Sequence, residues 1–149
     1  MKHGANEMAR MNLPATNARQ GFTWPVRVYW EDTDAGGIVY YANYLKFMER
    51  ARTEWLRSVG VEQAVLQQEQ GLMFVVVDAQ TRFHRPARYA EMLHVSCEIE
   101  ESRRASLTFR QNILRGEELL VTGSVRVACL ESQSFRPHAL PDEVLERLK

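Results

Sequence analysis

The hydrophobic positions of this chain follow two different periods. From Thr23 to Glu31, Val26, Val28 and Trp30 alternate with Arg27, Tyr29 and Glu31, the two-residue period of a half-buried strand. From Tyr40 to Val59 the spacing lengthens to three and four: Tyr41, Tyr44, Leu45, Met48, Ala51, Trp55 and Val59 make one broad apolar stripe, which predicts a long amphipathic helix. Lys46, Arg50, Thr53 and Arg57 mark its wetter side, and Gly60 is a natural stop. A shorter amphipathic helix is predicted over Glu62 to Glu69, ending before Gly71.

The alternating period then returns. Strands are predicted over Met73 to Phe83, Leu93 to Glu101, Ala105 to Leu114 and Leu120 to Leu130, with Arg115-Gly116-Glu117-Glu118 as a hairpin turn. The run Phe74-Val75-Val76-Val77 suggests a strand buried on both faces, and Pro86 interrupts the segment that follows. Pro141-Asp142-Glu143 opens a short last helix, its acidic residues suited to the positive end of a helix dipole. One strand, a long helix, a short helix and four successive strands give an α+β fold, an antiparallel sheet wrapped around one helix. A doubly wound parallel sheet would need strands alternating with helices.

Composition narrows the functional classes. At 149 residues the chain suits one domain, and no apolar run approaches the length of a membrane-spanning helix. Nineteen basic and nineteen acidic side chains cancel, so no global field steers the chain onto nucleic acid or anionic lipid. Cys97 and Cys129 both sit in alternating apolar patterns, the placement of reduced core residues in a cytoplasmic protein. Residues 1 to about 20 are polar and broken by Gly and Pro, without the apolar stretch of a signal peptide. They are expected to be a flexible tail ahead of a domain at 21–149.

The chemistry concentrates between Trp30 and Tyr44. That stretch runs from a strand end through Asp32, Asp34 and the pair Gly36-Gly37 to a helix start. Glycines allow a tight turn and a close backbone approach. The first amides of a helix lack intrahelical partners and carry positive potential. A carboxylate just before such amides can face a carbonyl whose oxygen rests on them, which suits acyl transfer. A thioester suits it best, because a leaving thiol with a pKa near 8.5 departs without a strong acid. Residue chemistry alone also permits a plain Asp-Gly turn. A calcium loop is excluded by Gly36 and Asn43 at the fifth and twelfth positions, where ligands are required. No G-x-S-x-G occurs.

The string from Arg27 to Arg52, with Asp32-Thr33-Asp34-Ala35-Gly36-Gly37-Ile38-Val39-Tyr40, then Asn43-Tyr44 and Glu49-Arg50-Ala51-Arg52, resembles the 4-hydroxybenzoyl-CoA thioesterase-like hotdog enzymes. Within them it is most similar to the Tol-Pal-associated, YbgC-like acyl-CoA thioesterases. The likeness extends over about residues 24 to 147, including Arg82 to Leu93 around Pro86 and Arg136-Pro137 to Leu140-Pro141. It implies a curved sheet around a central helix, paired into homodimers and often homotetramers. It implies Asp34 as the catalytic carboxylate, the backbone N–H of Tyr41 as the donor that polarises the thioester carbonyl, and Gly37 as the residue that lets the loop reach that geometry. Many YbgC-like proteins carry histidine where this chain has Tyr41; the hydroxybenzoyl enzyme has tyrosine.

The resemblance further places Glu49 on the helix facing the acyl pocket, with an ion pair to a nearby arginine as the alternative. It aligns Arg103, Arg104 and Ser106 with a basic turn that contacts CoA phosphates in relatives, a role that suits guanidinium groups; a solvated turn is the alternative. His84 reads as a structural strand histidine. No metal or redox cofactor is implied, and CoA enters as part of the substrate. Two rival functions share the fold. A hydratase would call for an Asp–His pair, and no D-x-x-x-x-H follows Asp34. A non-catalytic scaffold would use the basic turn to hold acyl carrier protein or envelope partners.

Overall fold

Five strands form one antiparallel sheet in the computed structural model, which describes residues 21–148; the expected tail at 1–20 lies outside them. In chain order the elements are β1 (Phe22–Arg27), α1 (Asn43–Ser58), α2 (Gln63–Gln70), β2 (Leu72–Phe83), β3 (Met92–Arg103), β4 (Ser106–Arg115), β5 (Glu118–Glu131) and α3 (Asp142–Arg147). The sheet order is β1-β3-β4-β5-β2. This is the α+β hotdog architecture: α1 lies across the sheet and presses Tyr44, Phe47, Met48, Ala51, Trp55 and Leu56 into its core. Gly123 of β5 makes room for the helix, since a Cβ there would stand 2.7 Å from Met48 Cε. Gln111 of β4, fully buried, ties the two layers by donating to the Met48 carbonyl at 3.0 Å.

Three expectations need correction. The first strand stops at Arg27 rather than Glu31, because Trp30–Asp32 closes into a 3-10 turn. Asp32 Oδ2 accepts the Tyr29 N–H at 2.7 Å and the Asp32 N–H donates to the Tyr29 carbonyl at 3.0 Å. The alternation therefore breaks, and Trp30 is exposed. The long helix begins at Asn43 rather than Tyr40, because the Tyr40 N–H is drawn to the Asp32 carbonyl at 2.9 Å. Finally, β2 is not buried on both faces. It is an edge strand whose Val76 and Val77 are 48% and 50% exposed, because no described strand pairs beyond it.

Both cysteines are free and buried. Burial drives the Cys97 thiol well above its ordinary pKa, which keeps it neutral and inert. Among the described residues no helix is long and apolar enough to cross a membrane.

Candidate active site

The loop ahead of α1 is a small hairpin. The Gly37 N–H donates to the Asp34 carbonyl and the Asp34 N–H to the Ile38 carbonyl, both at 2.9 Å. Gly37 sits at φ +78°, the left-handed residue that closes a three-residue hairpin loop. Gly36 donates its N–H to Asp34 Oδ1 at 2.8 Å, and a Cβ on Gly36 would crowd that oxygen at 3.1 Å. The two glycines act differently, since one bends the chain and the other holds the carboxylate.

The two aspartates part company here. Asp32 is 8% exposed and its carboxylate caps the 3-10 turn. Its carbonyl also accepts from the Tyr40 N–H and from Asn43 Nδ2 at 2.8 Å, which anchors the start of α1. Asp34 is exposed, and among the described residues its carboxylate has one hydrogen bond, that from Gly36.

No side chain caps α1; Ala42 stands at the cap position. The amides of Tyr41 and Ala42 donate to no acceptor among the described residues. They are free donors at the positive end of a 16-residue helix. Beside them opens a cleft of about 270 Å³, lined by Ile38, Tyr41 and Tyr44 on one side and by Phe83, His84 and Pro86 on the other. The Phe83 ring stands edge-on to Tyr41 at 6.2 Å and tilted against Tyr44 at 5.7 Å. Burial raises the Tyr44 phenol above its ordinary pKa, and the negative charges of Glu91 and Asp34 push the same way. Its hydroxyl stays protonated and accepts the Ala87 N–H at 3.0 Å.

The far wall is held by an arginine at the end of β4. Arg115 Nη1 donates to both Glu91 oxygens at 2.8 and 2.9 Å and to the Pro86 carbonyl at 3.2 Å, while its other nitrogens grip Glu118. His84, which the sequence presents as a structural histidine, stands in the cleft wall with Nε2 3.1 Å from Thr122 Oγ1. Phe83 and His84 face Tyr41 only because β2 pairs with β5 and ends beside α1. The one sequence signal for them is the family likeness around Pro86.

Asp34, Gly37 and Tyr41 thus share one corner of the fold. Glu49 lies two turns further along α1, exposed, with Oε1 accepting from Thr53 Oγ1 at 2.6 Å; no ion pair of the expected kind forms among the described residues. Arg103, Arg104 and Ser106 are elsewhere. β3 pairs with β1 so that Met92 lies opposite Arg27, and Arg103 sits at the other end of this 12-residue strand, on the order of 36 Å of strand away. Arg103 pairs with Glu101 at 2.9 Å, Ser106 pairs with Arg103 across the turn, and Arg104 offers its carbonyl to the Leu140 N–H at 2.8 Å. One chain cannot bring that turn to its own Asp34. Among the described residues no group of three or more His, Cys, Asp and Glu side chains is placed to hold a metal ion.

An antiparallel sheet folded over one long helix, with an apolar cleft at the start of that helix, is the architecture of the hotdog thioesterases. The chain belongs to the thioesterase-like superfamily, whose family model matches residues 28–148. It is 44% identical to the acyl-CoA thioesterase YbgC of Haemophilus influenzae over 124 residues, 83% of this chain and 91% of that one. It is 43% identical to the acyl-CoA thioester hydrolase YbgC of an Escherichia coli strain, over 86% of this chain and 96% of that one. Among solved structures, a probable thioesterase from Bartonella henselae superimposes with a TM-score of 0.78 at 37% identity, covering 81% of this chain and 99% of that one.

Proposed function

We propose that this protein hydrolyses acyl-CoA thioesters to the free acid and CoA, with Asp34 supplying the attack. The observation that carries the reading is an exposed carboxylate, bonded only to Gly36 among the described residues, in the hairpin that leads into two unpartnered helix-start amides, one of them that of Tyr41, which lines an apolar cleft. The acyl group lies in the cleft and its carbonyl oxygen meets the Tyr41 N–H. As the thioester carbon is attacked, by the carboxylate or by a water it deprotonates, negative charge moves onto that oxygen, where fixed donors stabilise it most. The carbon–sulfur bond then breaks and the electron pair leaves on sulfur, which needs little acid assistance; after direct attack by the carboxylate, a water opens the resulting Asp34–acyl anhydride, releasing the acid and restoring Asp34. Glu49 flanks the acyl group.

The exposed apolar edge of β2 supports a homodimer formed along that strand, and pairing of dimers would give a tetramer. A second copy would also supply the Arg103–Ser106 turn to CoA phosphates, or to an acyl carrier protein presenting the same thioester. The buried free thiols suit a cytoplasmic setting.

A thiol-release assay over short, long and aromatic acyl-CoAs tests this reading. The protein is expected to turn over at least one series, and Asp34→Asn to lose that turnover with its fold intact. A native protein that binds acyl-CoA but releases no thiol would make it a scaffold instead. Single turnover in ¹⁸O-water tests the direct route: label entering the Asp34 carboxylate marks attack by that carboxylate, because only opening of an anhydride at the Asp34 carbonyl places it there.

A further inference from the structure

We propose that the cavity around Arg52 receives a hydroxyl group at the far end of a long acyl chain, so that the enzyme prefers long acyl-CoA thioesters hydroxylated at that end. The inference rests on the acyl-CoA reading above. Arg52, on α1, is 8% exposed. Its Nη1 donates to Gln111 Oε1 at 3.0 Å, and the Gln111 amide is itself spent on the Met48 carbonyl. A guanidinium has five N–H donors. Among the described residues no carboxylate lies within ion-pair distance of Arg52, and its other donors meet no protein acceptor. Burial pulls its pKa below the ordinary arginine value. No described side-chain nitrogen is both sealed from solvent and unpartnered, so the remaining Arg52 donors are open to solvent, where a ligand's acceptor can take the place of water.

The space for that ligand is present. Arg52 lines a cavity of about 90 Å³ with apolar walls from Leu56, Phe74 and Phe109 and a polar rim at Glu49 and Thr53. Glu49 chooses among oxygen ligands: its charge repels a carboxylate, whereas a hydroxyl accepts from Arg52 and donates to Glu49. The cleft and the cavity share no lining residue, but α1 runs past both: Leu45, Glu49 and Arg52 follow one another at helical spacing on one face of it, Tyr41 stands just ahead of its first residue, and Leu45 is exposed. On the facing strand, Phe83 lines the cleft and Phe74 and Val76 line the cavity. Nine residues of helix separate Asn43, the first of α1, from Arg52, about 14 Å, and Tyr41 stands two residues further back. Short and aromatic acyl groups fall well short of that distance. Water is the other occupant the volume admits, at roughly 30 Å³ per molecule.

The test compares kcat/KM of the full-length protein for octanoyl-CoA, hexadecanoyl-CoA and ω-hydroxyhexadecanoyl-CoA. The hydroxylated thioester is expected to exceed its plain counterpart by about ten-fold or more, the worth of one hydrogen bond to a charged group. That ratio should fall toward one in Arg52→Met, and likewise in Val76→Phe, which fills the cavity and leaves the buried network untouched should Arg52→Met fail to fold. Equal rates for the two long thioesters in the wild type would overturn the inference and leave water as the occupant, while their turnover upheld the reading of the active site. Thiol release from none of the three would strike that reading as well.

Discussion

At the end of the sheet where β1 gives way to α1, the Asp34 carboxylate meets only the Gly36 N–H, and the amides of Tyr41 and Ala42 meet no acceptor among the described residues, next to an apolar cleft that Tyr41 lines. At the opposite end, between β3 and β4, the charges stand on an open turn, with Arg103 already paired to Glu101 and 64% of its side chain exposed. The first end is fixed by neighbours. Asp32 anchors the hairpin, Tyr44 holds the loop at Ala87, and Arg115 holds it at Pro86 and Glu91. At the second, the backbone is tied at Arg104 and Ala105 to Leu140 and Cys129, but the Arg103 side chain has no partner among the described residues beyond Glu101 of its own strand. Fixed donors near low-dielectric walls can stabilise a developing charge without reorganising, whereas solvated arginines attract a phosphate weakly and under salt control. The proposed chemistry therefore fits the first end, and the second offers at most a weak, salt-dependent contact.

The sharpest break in that comparison lies within the first end. Asp34→Asn keeps an oxygen for the Gly36 N–H and should lower kcat by about 10²- to 10⁴-fold, the range of a lost acid–base group, with an unchanged melting temperature. Asp32→Ala, two residues away, removes the buried cap and should cost about 1–3 kcal/mol of stability, read as a lower denaturation midpoint, with a smaller loss of kcat while folded. If Asp32→Ala abolished turnover at full stability, the division between anchor and reactant would be wrong.

That division is hidden in the sequence. Asp32 and Asp34 are the same residue two positions apart, and only the 3-10 turn, closed by hydrogen bonds to the Tyr29 backbone, sends one inward. The hairpin itself is legible, because Asp-x-Gly-Gly has few comfortable backbone solutions, and so is α1, whose stripe spans four turns. The exposure of Trp30 and of β2 is not legible: alternation reports which residues could be covered, and an edge strand lacks the neighbour that would cover it. The far wall of the cleft, Phe83 and His84, depends on the pairing of β2 with β5, two strands that the whole of β3 and β4 separates along the chain. The separation of the Arg103 turn from Asp34 is likewise a matter of strand direction, invisible in any local motif.

Arg115 probes how far fixation of the first end matters. Arg115→Met frees Pro86 and Glu91 together, so the cleft wall should loosen and KM for acyl-CoA rise on the order of 10-fold, below the ~10²-fold that an ångström of misplacement can bring. Arg115→Lys should recover part of it, since an ammonium cannot grip both Glu91 oxygens and Glu118 as the guanidinium fork does. Acid should act on the same joint. The bond to Arg115 holds the Glu118 carboxyl below the usual range, so the clamp is complete above the pH where an ordinary glutamate titrates, about 4.3, and is lost as pH falls through the lower folded value. A KM that stayed flat in Arg115→Met would mean the wall is held by Tyr44 alone.

The smallest effect is expected at the second end. Exposed charged contacts contribute about 0.2–1 kcal/mol each, so Arg103→Ala and Arg104→Ala should raise KM for acyl-CoA only about two- to five-fold apiece and leave kcat alone. The effect should fade as ionic strength rises and the Debye length shrinks below about 10 Å. It should also vanish for a minimal thioester such as an acyl-pantetheine, which carries no nucleotide phosphates. Because one chain holds this turn far from its own Asp34, the loss should further depend on assembly. Mixed oligomers of Asp34→Asn chains with Arg103→Ala/Arg104→Ala chains should regain native KM at the sites whose reacting carboxylate comes from one chain and whose turn comes from the other. Unchanged KM in such mixtures would leave the turn solvated and without a ligand, and the two ends of the sheet would then differ as an active site differs from plain surface.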